Sequence, residues 1–161
     1  MKDSADYNRI NRTKQNARLF YNKISKNYDR VAGLGERRLR ELGLRTLDLT
    51  SGDTVLEIGF GTGEGLLKIA PIVGVSGKVF GIDISEGMKN VAIKKLSVKG
   101  FLKNVFLENG DASSLPYDDN YFDAVFMSFT LELFDTAEIS LVLNECRRVM
   151  NAHSTITIVA M

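Results

Sequence analysis

Three carboxylates in this sequence each lie close to glycines, at the spacing of a ligand cradle. The first, Glu57, opens Glu57-Ile58-Gly59-Phe60-Gly61-Thr62-Gly63. Glycines at alternate positions let a backbone turn tightly and approach a ligand with no side chain between. A dinucleotide fingerprint, Gly-x-Gly-x-x-Gly, would need glycine at position 64, where this chain has Glu64. Its charge near a helix N-terminus disfavours a pyrophosphate. A carboxylate two residues before the first glycine suits instead a ligand with a positive amino group and no phosphate. The second acid, Asp83, ends Gly81-Ile82-Asp83, about 20 residues past the glycine turn, where a carboxylate can accept both ribose hydroxyls. Its bland alternative is a helix N-cap, a role Ser85 already fills. The third, Asp111 in Asn109-Gly110-Asp111-Ala112, can accept the amino group of adenine or serve as a plain turn residue.

Strand ends must hold these acids in place. Short β-rich runs alternate with helical ones after the turn cluster Ser51-Gly52-Asp53. The runs 54–58, 78–82, 104–108, 122–129 and 154–159 read as strands, and 122–129 is apolar enough to be buried on both faces. Helices are expected from the glycine turn to about Ile69, from Ser85 to about Lys99 and from Ala137 to Met150. Strands separated by helices require right-handed crossovers and a mostly parallel, doubly wound α/β sheet. Each acid then falls at the C-terminal end of one of the first three strands, the ligand crevice of such sheets. Residues 1–50 read as a helical extension or lid, with Ala17, Phe20, Tyr21 and Ile24 at helical spacing. A second helical stretch carries Leu34, Leu39, Leu42, Leu44 and Leu47, loosened by Gly33, Gly35 and Gly43. Residues 51–161 form the α/β part, and no linker separates the two.

Composition narrows the class. The chain has 161 residues, 44% hydrophobic and 25% charged, with one cysteine and one histidine. That is one globular domain, neither disordered nor disulfide-stapled. Cys146 has no partner for a bridge, and His153 alone cannot make a histidine-pair zinc centre, so no metal is expected. Residues 1–48 carry 12 Lys/Arg against 6 Asp/Glu, and residues 49–161 carry 9 against 14. The basic front is either a solvated helix face or an attraction for an acidic substrate or membrane surface, which leaves peripheral association open. No signal-peptide core and no run of roughly 18 apolar residues is present, so a cytoplasmic protein without an integral membrane segment is expected. No basic stripe interleaved with aromatics argues for nucleic acid.

S-adenosylmethionine carries an amino group, a ribose and an adenine but no phosphate. The chain resembles the class I S-adenosylmethionine-dependent methyltransferases over about residues 15–160. Val55-Leu56-Glu57-Ile58-Gly59-Phe60-Gly61-Thr62-Gly63 is similar to their first motif, and Val79-Phe80-Gly81-Ile82-Asp83-Ile84-Ser85-Glu86-Gly87-Met88 to their second. Asn109-Gly110-Asp111-Ala112 with Leu115-Pro116-Tyr117 resembles the adenine-side loop, and Tyr121-Phe122-Asp123-Ala124-Val125 the fourth-strand motif. The resemblance implies a sheet ordered 3-2-1-4-5 and S-adenosylhomocysteine as product. It places Glu57, Gly59, Gly61 and Gly63 at the methionine end, Asp83 on the ribose, and Ile84, Met88, Asp111 and Ala112 around adenine. Tyr21 to Asp29 and Ser128-Phe129-Thr130-Leu131 look like the ubiquinone/menaquinone C-methyltransferase type. That likeness adds Tyr28 and Ser128 to the cofactor site, with Tyr28 and Tyr21 closing over the methionine end or simply packing. Where those relatives commonly carry a histidine pair, this chain has Glu132-Leu133-Phe134.

A small-molecule methyl acceptor (quinol, lipid or other metabolite) is the expected substrate, by in-line transfer. The alternative is a non-catalytic or truncated S-adenosylmethionine-binding module. No catalytic base is assigned: Glu132 reads more simply as a surface carboxylate on a following helix, and His153 as a turn residue before the fifth strand. Complete members of the fold usually add an antiparallel hairpin after the fifth strand. This chain ends at Ile158-Val159-Ala160-Met161, so an open edge is expected, either covered by a homo-oligomer contact or marking a shortened form.

Overall fold

Strand β1 (Thr54–Ile58) lies at the middle of a five-stranded parallel sheet in a computed structural model that describes residues 13–31 and 34–160. It pairs with β2 (Lys78–Asp83) on one side and β4 (Phe122–Ser128) on the other. Strand β3 (Val105–Asn109) lies outside β2, and β5 (Met150–Val159) outside β4, giving the expected order 3-2-1-4-5. No antiparallel strand is present among the described residues. The direction of winding reverses between β1 and β4, so the chain leaves their C-terminal ends to opposite sides and a crevice opens there.

Side chains alternate across β1, and each face meets helices. Val55 packs on one face with Phe126, with α4 (Leu66–Val73) through Leu66, Ile69 and Val73, and with α5 (Glu86–Lys99) through Ala92 and Leu96. Leu56 and Ile58 pack on the other with Phe122, Val125 and Met127, against Val142, Cys146 and Val149 of α6 (Thr136–Val149). Strand β4 is buried at every position but Asp123, the pattern of a strand covered on both faces. Glu57 follows the same alternation and is driven into the apolar layer beneath α4.

Two boundaries differ from the sequence expectation by more than one residue. Helix α4 continues past Ile69 and through Pro71 to Val73, where Gly74 donates its N–H to the Ala70 carbonyl (3.2 Å). Strand β5 starts at Met150 rather than 154, because an irregularity in its register with β4 absorbs the polar residues between Met150 and Thr155. The outer edge of β5 has no neighbouring strand among the described residues.

The N-terminal part folds as α1 (Lys14–Ile24), a 3-10 turn (Ser25–Asn27), α2 (Tyr28–Val31) and α3 (Leu34–Arg45). Gly33, the side chain of Leu34 and the first twelve residues of the expected extension lie outside the described residues. Helix α3 buries Leu44 in the first core layer, as does Leu47 just after it, and Thr46 Oγ1 meets Thr157 Oγ1 of β5 at 2.8 Å. Helix α1 has no buried residue, and Phe20 of its expected apolar stripe is 56% exposed. Polar bonds hold it instead: Asn22 Oδ1 accepts the Ser85 hydroxyl (2.7 Å) and the Gly87 N–H (2.9 Å). Ser85 also caps α5 by accepting the Met88 N–H at 3.1 Å, which is the role its sequence position indicated. No helix of the described residues is long and apolar enough to cross a membrane, and they contain no cluster fit for a metal ion.

Asn22→Ala is expected to cost about 1 kcal/mol and to speed amide hydrogen exchange in α1 while leaving β1 and β4 protected. Unchanged exchange in α1 would show that the helix docks by other means.

Candidate functional site

Glu57 is 1% exposed at the end of the central strand. Its carboxylate accepts the Leu66 N–H, but Oε2 has no hydrogen-bond partner among the described residues. Burial pushes its pKa from 4.5 up to about 8; Asp83 and Glu64 add to the rise, while Arg40 and the Leu66 N–H oppose it. Only glycine fits at position 65 beside it, since a Cβ there would stand 2.1 Å from Glu57 Oε1. The result is a carboxyl group kept from water with one oxygen waiting for a donor.

The glycine turn folds over this group and is tied down by Asp83. Gly61, at φ +53°, donates its N–H to Asp83 Oδ2 (2.8 Å), and Ser85 donates its N–H to Oδ1 (2.8 Å). Burial raises the Asp83 pKa even though both N–H groups favour the charged form. Gly59, at φ +69°, backs onto Thr130, whose atoms leave no room for a Cβ. Thr62 donates its hydroxyl to Asp29 of α2 (2.5 Å), and Asp29 also takes Lys95 (2.6 Å). Burial works to raise the Asp29 pKa, but Lys95 and Thr62 outweigh it and hold the carboxyl low. Glu64, the residue at odds with a pyrophosphate turn, pairs with Lys95 at 2.7 Å.

Asp111 lies on the far wall of the same cavity. It accepts the Ser113 N–H and hydroxyl (both 2.9 Å) and forms an ion pair with Lys14 of α1. Lys14 also reaches Glu138 of α6 at 2.9 Å. Burial would raise the Asp111 pKa, but Lys14 and Ser113 bring it below its ordinary value.

The remaining wall is aromatic and apolar. Phe129, Leu133 and Phe134 line it after β4, with Tyr28 and Tyr21 opposite, their rings edge-to-face at 6.2 Å. Phe129 adopts φ +54°, a costly conformation for a bulky residue and one of the kind that collects at functional sites. Burial first, and then the charge of Glu36, raise the Tyr28 pKa. Arg40 of α3 donates Nε–H to Ser128 Oγ (3.3 Å) and sits 5.8 Å over the Phe129 ring. Glu36, one turn earlier on α3, also lines the cavity and has a buried Oε2 with no partner among the described residues.

Of the eleven residues singled out by sequence, ten line this one cavity: Tyr28, Glu57, Gly59, Gly61, Asp83, Ile84, Met88, Asp111, Ala112 and Ser128. Gly63 does not; it faces α5, where a Cβ would meet Ala92 Cβ at 3.0 Å, so it serves close packing of the turn. His153 is exposed on β5, outside the cavity. Glu132 is not a plain surface residue, for its Oε2 is buried with no partner among the described residues. Lys14, Glu36 and Arg40 reach the cavity from positions that carried no motif signal, while Asp29 and Thr130 come from the two segments that resemble the ubiquinone/menaquinone C-methyltransferase type.

A family model described as a methyltransferase domain matches residues 55–153. The demethylmenaquinone methyltransferase of Symbiobacterium thermophilum is 36% identical over 141 residues, 84% of this chain and 55% of that protein. That of Bacillus subtilis is 32% identical over 134 residues, covering 81% and 56%. The chain thus spans about half the length of the curated relatives it matches. A SAM dependent methyltransferase from Aquifex aeolicus superposes with a TM-score of 0.70 at 31% identity, covering 83% of this chain and 71% of that one. The [4+2]-cyclase SpnF superposes with a TM-score of 0.80 at 23% identity, covering 91% and 60%, a likeness of fold alone.

The buried carboxyl has a pH signature. With a folded-state pKa near 8 against 4.5 unfolded, the folded protein binds more protons than the unfolded chain between those values. Stability therefore falls as pH rises from about 4.5 to about 8, then levels. Glu57→Gln is expected to remove much of that decline in thermal melts of the ligand-free protein across pH 5–9. Parallel wild-type and variant curves would contradict it.

Proposed function

Because the chain belongs to the methyltransferase-domain family, the S-adenosylmethionine-dependent enzymes, we propose that it holds S-adenosylmethionine in the cavity at the end of β1. From there a methyl group passes in line to a small-molecule acceptor in the cytoplasm. The observation that carries this reading is the buried, half-partnered Glu57 carboxyl beneath a glycine turn. A cationic amino group satisfies its unpartnered oxygen and drives the carboxyl to its charged form. When bound, the cofactor supplies a methyl group already activated on a positive sulfur.

The residues present fit that group. Asp83 spends each oxygen on one backbone N–H, and a carboxylate oxygen has further lone-pair capacity for ribose hydroxyls. Ile84, Met88 and Ala112 give an apolar slot for adenine, with Asp111 at its rim. Tyr28 and Tyr21 present aromatic faces to a sulfonium, an arrangement that cation–π attraction favours. The protein's own part is then alignment and exclusion of water, which supplies up to roughly 7–11 kcal/mol of a barrier.

For the acceptor, a quinol is the class the reading favours. The relatives' names point to it, and the wall of Phe129, Leu133 and Phe134 suits a flat apolar ring. Helices α1 to α3 act as the lid in this reading, and the open edge of β5 takes a second copy of the chain. A second reading is a binding module without turnover, because Glu132-Leu133-Phe134 stands where the resemblance leads one to expect a histidine pair.

Two measurements follow, the first testing the cofactor site and the second separating the two readings. Asp83→Ala is expected to weaken S-adenosylhomocysteine binding roughly 10- to 100-fold by calorimetry, and unchanged affinity would sink the ribose assignment. Incubation with labelled S-adenosylmethionine and a panel of demethylated quinols, lipids and amines is expected to label a quinol. Tight cofactor binding with no labelled product supports the binding module instead.

A further inference from the structure

We propose that the outward faces of α1 and α3 dock the protein on an anionic lipid surface. These faces are turned away from the cavity, so their partner is independent of what the cavity holds.

Helix α1 is two-sided. Lys14, Ala17 and Tyr21 line the cavity, whereas Leu19 and Phe20 are 57% and 56% exposed. Lys23 is exposed too and follows them at i+4 and i+3, which puts the three on one outer face. Helix α3 repeats the pattern. Its Leu39 and Leu42 are 40% and 50% exposed, and exposed Arg38 and Arg45 flank Leu42 four residues before it and three after. Large apolar side chains beside basic ones are the composition of helices that lie in a lipid interface.

Charges are sorted by side. Arg18, Lys23, Lys26, Arg38 and Arg45 are exposed and form no ion pair among the described residues. The acids of α2 and α3 are engaged elsewhere: Asp29 with Thr62 and Lys95, Glu36 on the cavity lining, and Glu41 with Lys68 of α4 at 3.1 Å. Asp48 is exposed but lies beyond the end of α3. Residues 49–161 carry 9 Lys/Arg against 14 Asp/Glu, so a negative surface attracts the N-terminal helices and repels the remainder. An acidic protein would satisfy the cations, but four apolar groups on convex helix faces need a matching concave partner. A fluid bilayer takes each where it stands, and its anionic headgroups meet the cations around them.

Vesicle co-sedimentation of the whole chain tests this, with phosphatidylcholine alone and with phosphatidylglycerol added. Binding is expected only with phosphatidylglycerol, and it should fall as salt rises. The pairs Lys23→Glu/Arg38→Glu and Leu19→Asn/Leu42→Asn should each weaken it roughly 10-fold or more, with S-adenosylhomocysteine affinity unchanged in calorimetry. In the wild-type chain, vesicles should slow amide hydrogen exchange in α1 and α3 and leave α6 unchanged. No binding to phosphatidylglycerol vesicles overturns the inference, as does unchanged exchange or binding that either variant keeps in full. Displacement by glycerol phosphate at matched ionic strength would reveal a phosphate site instead of a surface, and binding to polyglutamate alone an acidic protein partner; either overturns it. A chain that docks on vesicles but binds no S-adenosylhomocysteine overturns the cofactor reading and leaves the docking surface standing.

Discussion

A carboxyl group buried without full compensation at the end of β1 constrains everything around it. Strand alternation forces Glu57 into the same layer as Val55, so its side chain cannot turn out to water without flipping the whole strand. Room for it exists only because residue 65 has no side chain. The fold tolerates this because the cost is spread: one oxygen has the Leu66 N–H, and the positive field of Arg40 opposes the desolvation. An apolar residue would pack more easily at this position. That a charged one stands there is the mark of a site shaped for a ligand rather than for stability.

Asp83 is the complementary constraint. It was legible as a ligand residue from its place after the second strand, but the structure gives it a prior structural duty. By accepting the Gly61 N–H it pins the glycine turn to the end of β2 and so fixes the ceiling above Glu57. The proposed ligand recognition and the loop geometry therefore fall to one carboxylate, and a change there disturbs the loop as well.

The strands and the three acids could be read from the sequence because they are local patterns: runs of β-branched and aromatic residues, glycines at fixed offsets, acids at strand ends; the strand order came from the family resemblance. What could not be read depends on contacts between residues far apart in the chain. Arg40 sits among scattered basic residues of a helix, and only packing of α3 beside β4 brings it to Ser128. Lys14 meets Asp111 across 97 positions, and Asn22 meets Gly87 across 65. The early start of β5 was hidden because Asn151, His153 and Ser154 are weak strand formers, accommodated by a register irregularity that no single-strand pattern reveals. Ala17, Phe20 and Tyr21 share one helical spacing in the sequence, yet Ala17 and Tyr21 line the cavity while Phe20 is exposed.

Helix α1 is fastened to the rest of the molecule by groups that water can serve almost as well: a carboxamide, a hydroxyl, an ammonium between two carboxylates. Lifting it exposes little apolar surface, so the detachment carries a small heat-capacity change and leaves the sheet intact. Because one of its fastenings is an ion pair, mobile ions compete for it directly. The residence time of whatever lies beneath α1 is thereby coupled to ionic strength, and the molecule can exchange its contents on a timescale independent of its own unfolding.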